Sequence, residues 1–141
     1  MIILLMGVTA SGKTTVGQLL SARLGWSFHD ADDFHPPANI DKMSRGVPLT
    51  DEDRVPWLEA LNAEMRRHDA AGTHAVVTCS ALRQWYRDIL RKGVQSLVFV
   101  HLKAEPALLR ARIEARRDHF MPPALLPSQL ATLEEPGDAI V

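Results

Sequence analysis

The residues Gly7-Val8-Thr9-Ala10-Ser11-Gly12-Lys13-Thr14 match the phosphate-cradling pattern G-x-x-x-x-G-K-[ST] at every fixed position. Such a loop works mainly through its backbone. Glycines let it wrap closely round an anion, and successive N–H groups and the N-terminus of the following helix point at the phosphates. Lys13 adds a mobile charge for the β- and γ-phosphates, Thr14 offers a hydroxyl to Mg²⁺, and Thr15 extends the binding surface into the helix. The expected ligand set is therefore a nucleoside triphosphate with Mg²⁺.

A second group of residues able to do chemistry is Asp30-Ala31-Asp32-Asp33. In an extended segment side chains two apart point the same way, so Asp30 and Asp32 should face one site. Two carboxylates beside a Mg·ATP site can divide the labour. One holds a metal-bound water, and the other accepts the proton of a substrate hydroxyl or orients it. The plainer alternative is a solvated acidic turn, with Asp32 or Asp33 capping the next segment. Arg112, Arg116 and Arg117 end a helical pattern that leads into an irregular stretch, where cations could close over the γ-phosphate. Of these Arg116 is favoured over Arg117, and enrichment of cations at a helix C-terminus is the alternative. His35, Lys42, Arg54 and Arg83 are candidates for an anionic or polyhydroxylated substrate, because guanidinium pairs bidentately with carboxylate. Each is as readily a solvated charge. Arg83, Arg87 and Arg91 share a helix face, and the last two should be solvated.

The elements that must position these groups alternate between strand and helix. Ile2 to Met6 reads as a buried strand. Val16, Leu19, Leu20 and Leu24 then recur at helical spacing, with Gly25 where a C-cap belongs. Trp26 to His29 predicts a second strand, and Asn39 to Ser44 a short helix. Thr50 reads as an N-cap over Asp51, Glu52 and Asp53, with Trp57, Leu58, Leu61 and Met65 as the apolar stripe. Pro56 leaves two alternatives, a helix starting near it or a distorted first turn. Ala75 to Cys79 is a third strand. Leu82, Trp85, Tyr86, Ile89 and Leu90 give a helix closing near Gly93, and Ser96 to Leu102 is a fourth strand. A further helix is expected from Glu105, a lid over about 118–136, and the opening of a fifth strand at Ala139-Ile140-Val141. The pattern predicts a single α/β domain spanning 1–141, with a mainly parallel sheet and helices on both faces. Ligands of such sheets lie beyond the carboxyl ends of the strands, which brings Thr78, Cys79 and Ser80 to the same rim, with Ser80 counted among the substrate-binding candidates.

Composition narrows the classes. Of 141 residues 46% are hydrophobic and 23% charged, with a net charge of −1, so bulk electrostatics argues against nucleic acid or a membrane as partner. The six histidines are scattered and, with one cysteine, show no metal-ligand spacing. Cys79 alone forms no internal disulfide, which suits a reducing cytoplasm. The short N-terminal apolar run reads as neither a signal peptide nor a membrane span. Trp26, Trp57 and Trp85 read as packing residues, and His74 and His101 as structural ones.

The phosphate loop, Phe28 to Ile40 (F-H-D-A-D-D-F-H-P-P-A-N-I), Pro48 to Arg54, Cys79-Ser80-Ala81-Leu82 and His119-Phe120-Met121-Pro122 resemble the gluconokinases over essentially the whole chain. The resemblance implies a three-layer α/β/α fold like that of the adenylate and shikimate kinases. It implies ATP-dependent phosphorylation of D-gluconate to 6-phosphogluconate, and a homodimer. It places Asp30 in the Mg²⁺ shell, Asp32 at the attacking hydroxyl and Arg54 on the substrate carboxylate. Asp118 stands where the family pattern has Gly, and family members usually complete the fifth strand and add a final helix, so the C-terminal elements are expected to be truncated. Two other functions stay open on the sequence: a kinase for another sugar acid or polyol, and an inactive nucleotide-binding or interaction protein.

Overall fold

Five consecutive apolar residues leave no face for water, and Ile2–Met6 accordingly forms β1 at an interior position of a parallel sheet. The computed structural model describes residues 1–8, 11–103, 130, 133, 134 and 136. Among these, β2 (Ser27–Asp30), β3 (Ala75–Thr78) and β4 (Leu97–His101) join β1 in the order β2-β3-β1-β4, all parallel. Leu5 lies opposite Thr78, Thr78 opposite Asp30, and Met6 opposite His101. All four strands therefore end at one edge, the edge expected to carry the site. β2 runs one residue later than the spacing predicts, so Asp30 is its last residue and not the first beyond it.

The helices are α1 (Lys13–Leu24), α2 (Pro37–Ser44), α3 (Asp51–Ala71) and α4 (Gln84–Arg91). They cover both faces. The apolar repeat in α1 marks a helix correctly but not its packing face: Gly17 is its buried residue, while Val16 and Leu24 are exposed and Leu19 is 58% exposed. A Cβ on Gly17 would stand 2.7 Å from Phe28 Cε1 and 2.9 Å from Thr78 Cγ2. The helix backbone, not its leucines, rests on the sheet there.

On the other face α3 and α4 enclose the main core. Trp57, Leu58, Leu61, Met65, Tyr86 and Leu90 pack with Ile2, Leu4, Met6, Val77 and Phe99. α3 begins at Asp51, held by a reciprocal cap. Asp53 N–H donates to Thr50 Oγ1 at 3.1 Å, and Thr50 N–H donates to Asp53 Oδ2 at 2.9 Å. Pro56 therefore sits inside the helix and does not start it.

Arg87 corrects the expectation of a solvated charge. It is fully buried, and its Nη1 donates to the Ala81 carbonyl at 2.6 Å. Its Nη2 reaches the Glu134 carbonyl at 3.0 Å, which ties residues distant in sequence to the start of α4. Arg91 is exposed as expected. The helix from Glu105, Arg112, Arg116, Arg117, Asp118, the fifth strand and most of the 118–136 segment lie outside the described residues. No helix among the described residues is long and apolar enough to cross a membrane.

Candidate active site

The phosphate loop leaves β1 at Gly7 and enters α1 at Lys13. Gly7 (φ 148°) and Gly12 (φ 97°) occupy backbone conformations that L side chains rarely adopt. A Cβ on Gly7 would also meet the Leu102 carbonyl at 2.7 Å, so the loop is pressed against the end of β4. Gly7 N–H donates to the Ser80 carbonyl at 3.2 Å, which fixes the loop to the end of β3. Lys13 Nζ lies across the loop, donating to the Gly7 and Val8 carbonyls at 2.9 Å each.

α3 has a side-chain cap and three acids in its first turn, whereas α1 has no side-chain cap and no acid in its first turn. Among the described residues no acid meets the positive end of the α1 dipole, an arrangement that suits a bound anion. Ser11 Oγ is buried without a hydrogen-bond partner among the described residues, a polar atom that a phosphate oxygen would satisfy. These features fit a nucleoside triphosphate. Thr14 and Thr15 are exposed at the helix start; Thr9 and Ala10 lie outside the described residues.

The acidic pair is arranged differently from the extended-segment argument. The strand stops at Asp30, and Ala31–Phe34 form a 3₁₀ turn. Asp30 caps that turn, its Oδ1 accepting from Asp32 N–H at 2.9 Å. The capping residue is therefore Asp30, and not Asp32 or Asp33. The turn is anchored from below, since Trp57 Nε1 donates to the Ala31 carbonyl at 2.7 Å. Burial, followed by repulsion from Asp30, raises the pKa of Asp32 to about 6, with the Lys13 charge pulling the other way.

The substrate-side candidates gather beside this turn. The His35 ring is buried and stacked on Trp57 at 4.1 Å, with Nε2 3.9 Å from Asp32 Oδ1. Burial, with the Arg54 charge beside it, lowers its pKa to about 4, so it is neutral near pH 7 and acts as a packing and positioning group. Arg54 donates from Nη1 to the Leu49 carbonyl at 2.7 Å and lies over the Tyr86 ring at 5.4 Å, held but part-exposed. Lys42 is engaged by Asp53 at 2.7 Å, so it buttresses the α3 cap. Arg83 is the N-cap residue of α4, and Ser80 is part-exposed at the end of β3.

Three positioning residues had no sequence signal as site groups. Trp57 reads as core. Asn39, buried, donates to the Asp53 carbonyl at 2.8 Å and joins α2 to α3. Ala81 holds a positive φ of 48° with its carbonyl pinned by Arg87, shaping the loop after β3. Cys79, also at this edge, is buried with its thiol pushed up to about 12, so it is no nucleophile.

A family model described as an AAA domain matches residues 3–121. The gluconokinase of Gluconobacter oxydans is 52% identical over 136 residues, covering 96% of this chain and 76% of its own length. The chain belongs to the gluconokinase family. The crystal structure of a gluconokinase from Sinorhizobium meliloti superposes with a TM-score of 0.86 at 43% identity, covering 98% of this chain and 79% of that one. An unliganded sugar kinase from Janibacter sp. superposes with a TM-score of 0.92 at 46% identity, covering 99% and 82%. Like those gluconokinases, the chain is an α/β phosphate-loop protein.

Proposed function

We propose that this chain phosphorylates D-gluconate with ATP, giving 6-phospho-D-gluconate by in-line transfer in the cytoplasm. The observation that carries the reading is that a phosphate loop ending in Lys13 and the turn bearing the half-buried Asp32 follow parallel strands to the same edge of the sheet, with burial raising the Asp32 pKa to about 6. A carboxylate poised near the working pH is suited to hold a sugar hydroxyl and take its proton as the oxygen attacks phosphorus. Gly7, Val8, Ser11, Gly12 and the Thr14 and Thr15 N–H groups hold the triphosphate. Lys13 exchanges its bonds to the loop carbonyls for the β- and γ-phosphate oxygens.

Mg²⁺, when bound, neutralises the β- and γ-phosphate charge, and the Thr14 hydroxyl and the free oxygen of Asp30 are the groups that would hold it. Arg54 takes the gluconate carboxylate, and its contact with the Tyr86 ring and the Leu49 carbonyl pre-orients the guanidinium. Arg83 and Ser80 line the polyol side, with His35 and Lys42 fixing the turn and helix that carry Asp32 and Arg54. Arg112 and Arg116 complete the reading as cations for the γ-phosphate.

The test is ADP release by the purified chain with ATP, Mg²⁺ and a panel of sugar acids and polyols. Gluconate should give the highest kcat/KM. Lys13→Ala should lower it by about 10²-fold or more. Equal turnover of other acceptors, or ATP binding with no turnover of any, contradicts the assignment.

A further inference from the structure

On the far side of β2 from the phosphate loop, three side chains converge that the reaction does not use. His29, the residue before Asp30, points to the α3 face. There it meets Glu64 and His68, one turn apart on α3. His29 Nε2 is 2.9 Å from His68 Nε2, and each of these nitrogens is 3.5 Å from Glu64 Oε1. Two imidazoles and a carboxylate thus aim one donor atom each at a common point.

The spacing is what decides. Zinc bonds of about 2.0–2.1 Å in tetrahedral geometry place neighbouring donor atoms about 3.3 Å apart. The three edges found here are 2.9, 3.5 and 3.5 Å, so an ion would need only a few tenths of an ångström of adjustment, chiefly to part the two imidazoles. The hydrogen bonding also assigns the tautomer. Thr73 Oγ1 donates to the His68 carbonyl at 3.3 Å and therefore accepts from His68 Nδ1–H at 2.7 Å, so the His68 Nε2 lone pair faces the cluster and accepts from His29 Nε2–H at 2.9 Å; an ion takes that proton's place once His29 carries its proton on Nδ1. Burial also favours neutral His68, the form that ligates. His29 and Glu64 are part-exposed, so an ion can enter from solvent and keep a water. Arg67, exposed, holds Glu64 from outside and is the group an ion must displace.

We propose that His29, Glu64 and His68 form a site for a zinc-like transition-metal ion that clips β2 to α3, directly behind the turn bearing Asp30 and Asp32. Imidazole donors select zinc, cobalt or nickel over Mg²⁺, so the site is separate from the nucleotide's metal. It goes beyond the kinase reading and does not depend on it.

The test is calorimetric titration of the tag-free, chelator-stripped chain with Zn²⁺, alongside Co²⁺ absorption and thermal unfolding. A single equivalent of zinc should bind and raise Tm, with tetrahedral cobalt bands, and millimolar Mg²⁺ should not displace it. His29→Ala, at a part-exposed position that tolerates truncation, should weaken zinc binding at least tenfold. Glu64→Gln should weaken it as well. The N-terminal amine, 2.6 Å from His74 Nδ1, is the competing locus, so His74→Ala should leave the tight site intact. Zinc affinity unchanged in His29→Ala, or lost in His74→Ala alone, overturns the proposal.

Discussion

Asp32 and His35 stand 3.9 Å apart on one turn, and burial moves their pKa values in opposite directions, to about 6 and about 4. Asp32 holds its proton in the folded state at pH values where the unfolded chain has lost it, so its contribution to stability falls as pH rises between about 4 and 6. His35 is depressed below its unfolded value of 6.5, so its contribution is present near neutrality and lost as pH falls through about 4. The two opposing trends offset each other over the same range. Asp32→Asn should therefore make urea-unfolding stability rise more steeply with pH between 4 and 6 than it does in the wild type. An unchanged slope would place the raised pKa elsewhere. In catalysis, log kcat/KM of the wild type should climb with unit slope up to about pH 6 and then level off. The acids themselves were legible as a D-x-D beside a phosphate loop. The turn that displaces Asp32 from the strand was not, because it is fixed by the Trp57 bond to Ala31, a contact between residues far apart in the chain.

Strand–helix alternation and the Thr50 cap are local signals, and they placed β1, β3, α3 and α4 closely. Packing faces depend on partners, which explains the two corrections. The leucines of α1 suggested a buried stripe, yet the close approach is made at Gly17. Gly17→Ala should accordingly cost about 1–3 kcal/mol, measured by chemical unfolding, because the added methyl would meet Phe28 at 2.7 Å and the buried Thr78 at 2.9 Å. A neutral substitution would show that α1 sits less tightly. Arg87 repeats on the same face as Arg83 and Arg91, and nothing in that spacing reveals that its guanidinium turns inward to the Ala81 and Glu134 carbonyls. Trp57→Phe should keep α3 packed while freeing the Ala31 carbonyl, so kcat should fall more than KM rises, with a stability loss of about 1 kcal/mol. Equal kinetics would remove the tryptophan from the positioning of Asp32.

Over the whole molecule, parallel β strands ending at one edge bring residues 7, 30, 80 and 102 together, and that convergence is what an α/β alternation predicts. The cluster of His29, Glu64 and His68 is the converse case. Read along the chain the histidines look scattered, and only the packing of α3 on β2 unites them. The proposed mechanism rests on one acid, Asp32, at the sheet edge that also carries the phosphate-loop lysine. The most direct test is gluconate-dependent ADP release by Asp32→Asn, with ATP affinity measured on the same preparation. The account predicts that kcat falls by about 10² or more while the ATP dissociation constant changes less than threefold. Wild-type turnover in that variant would contradict it.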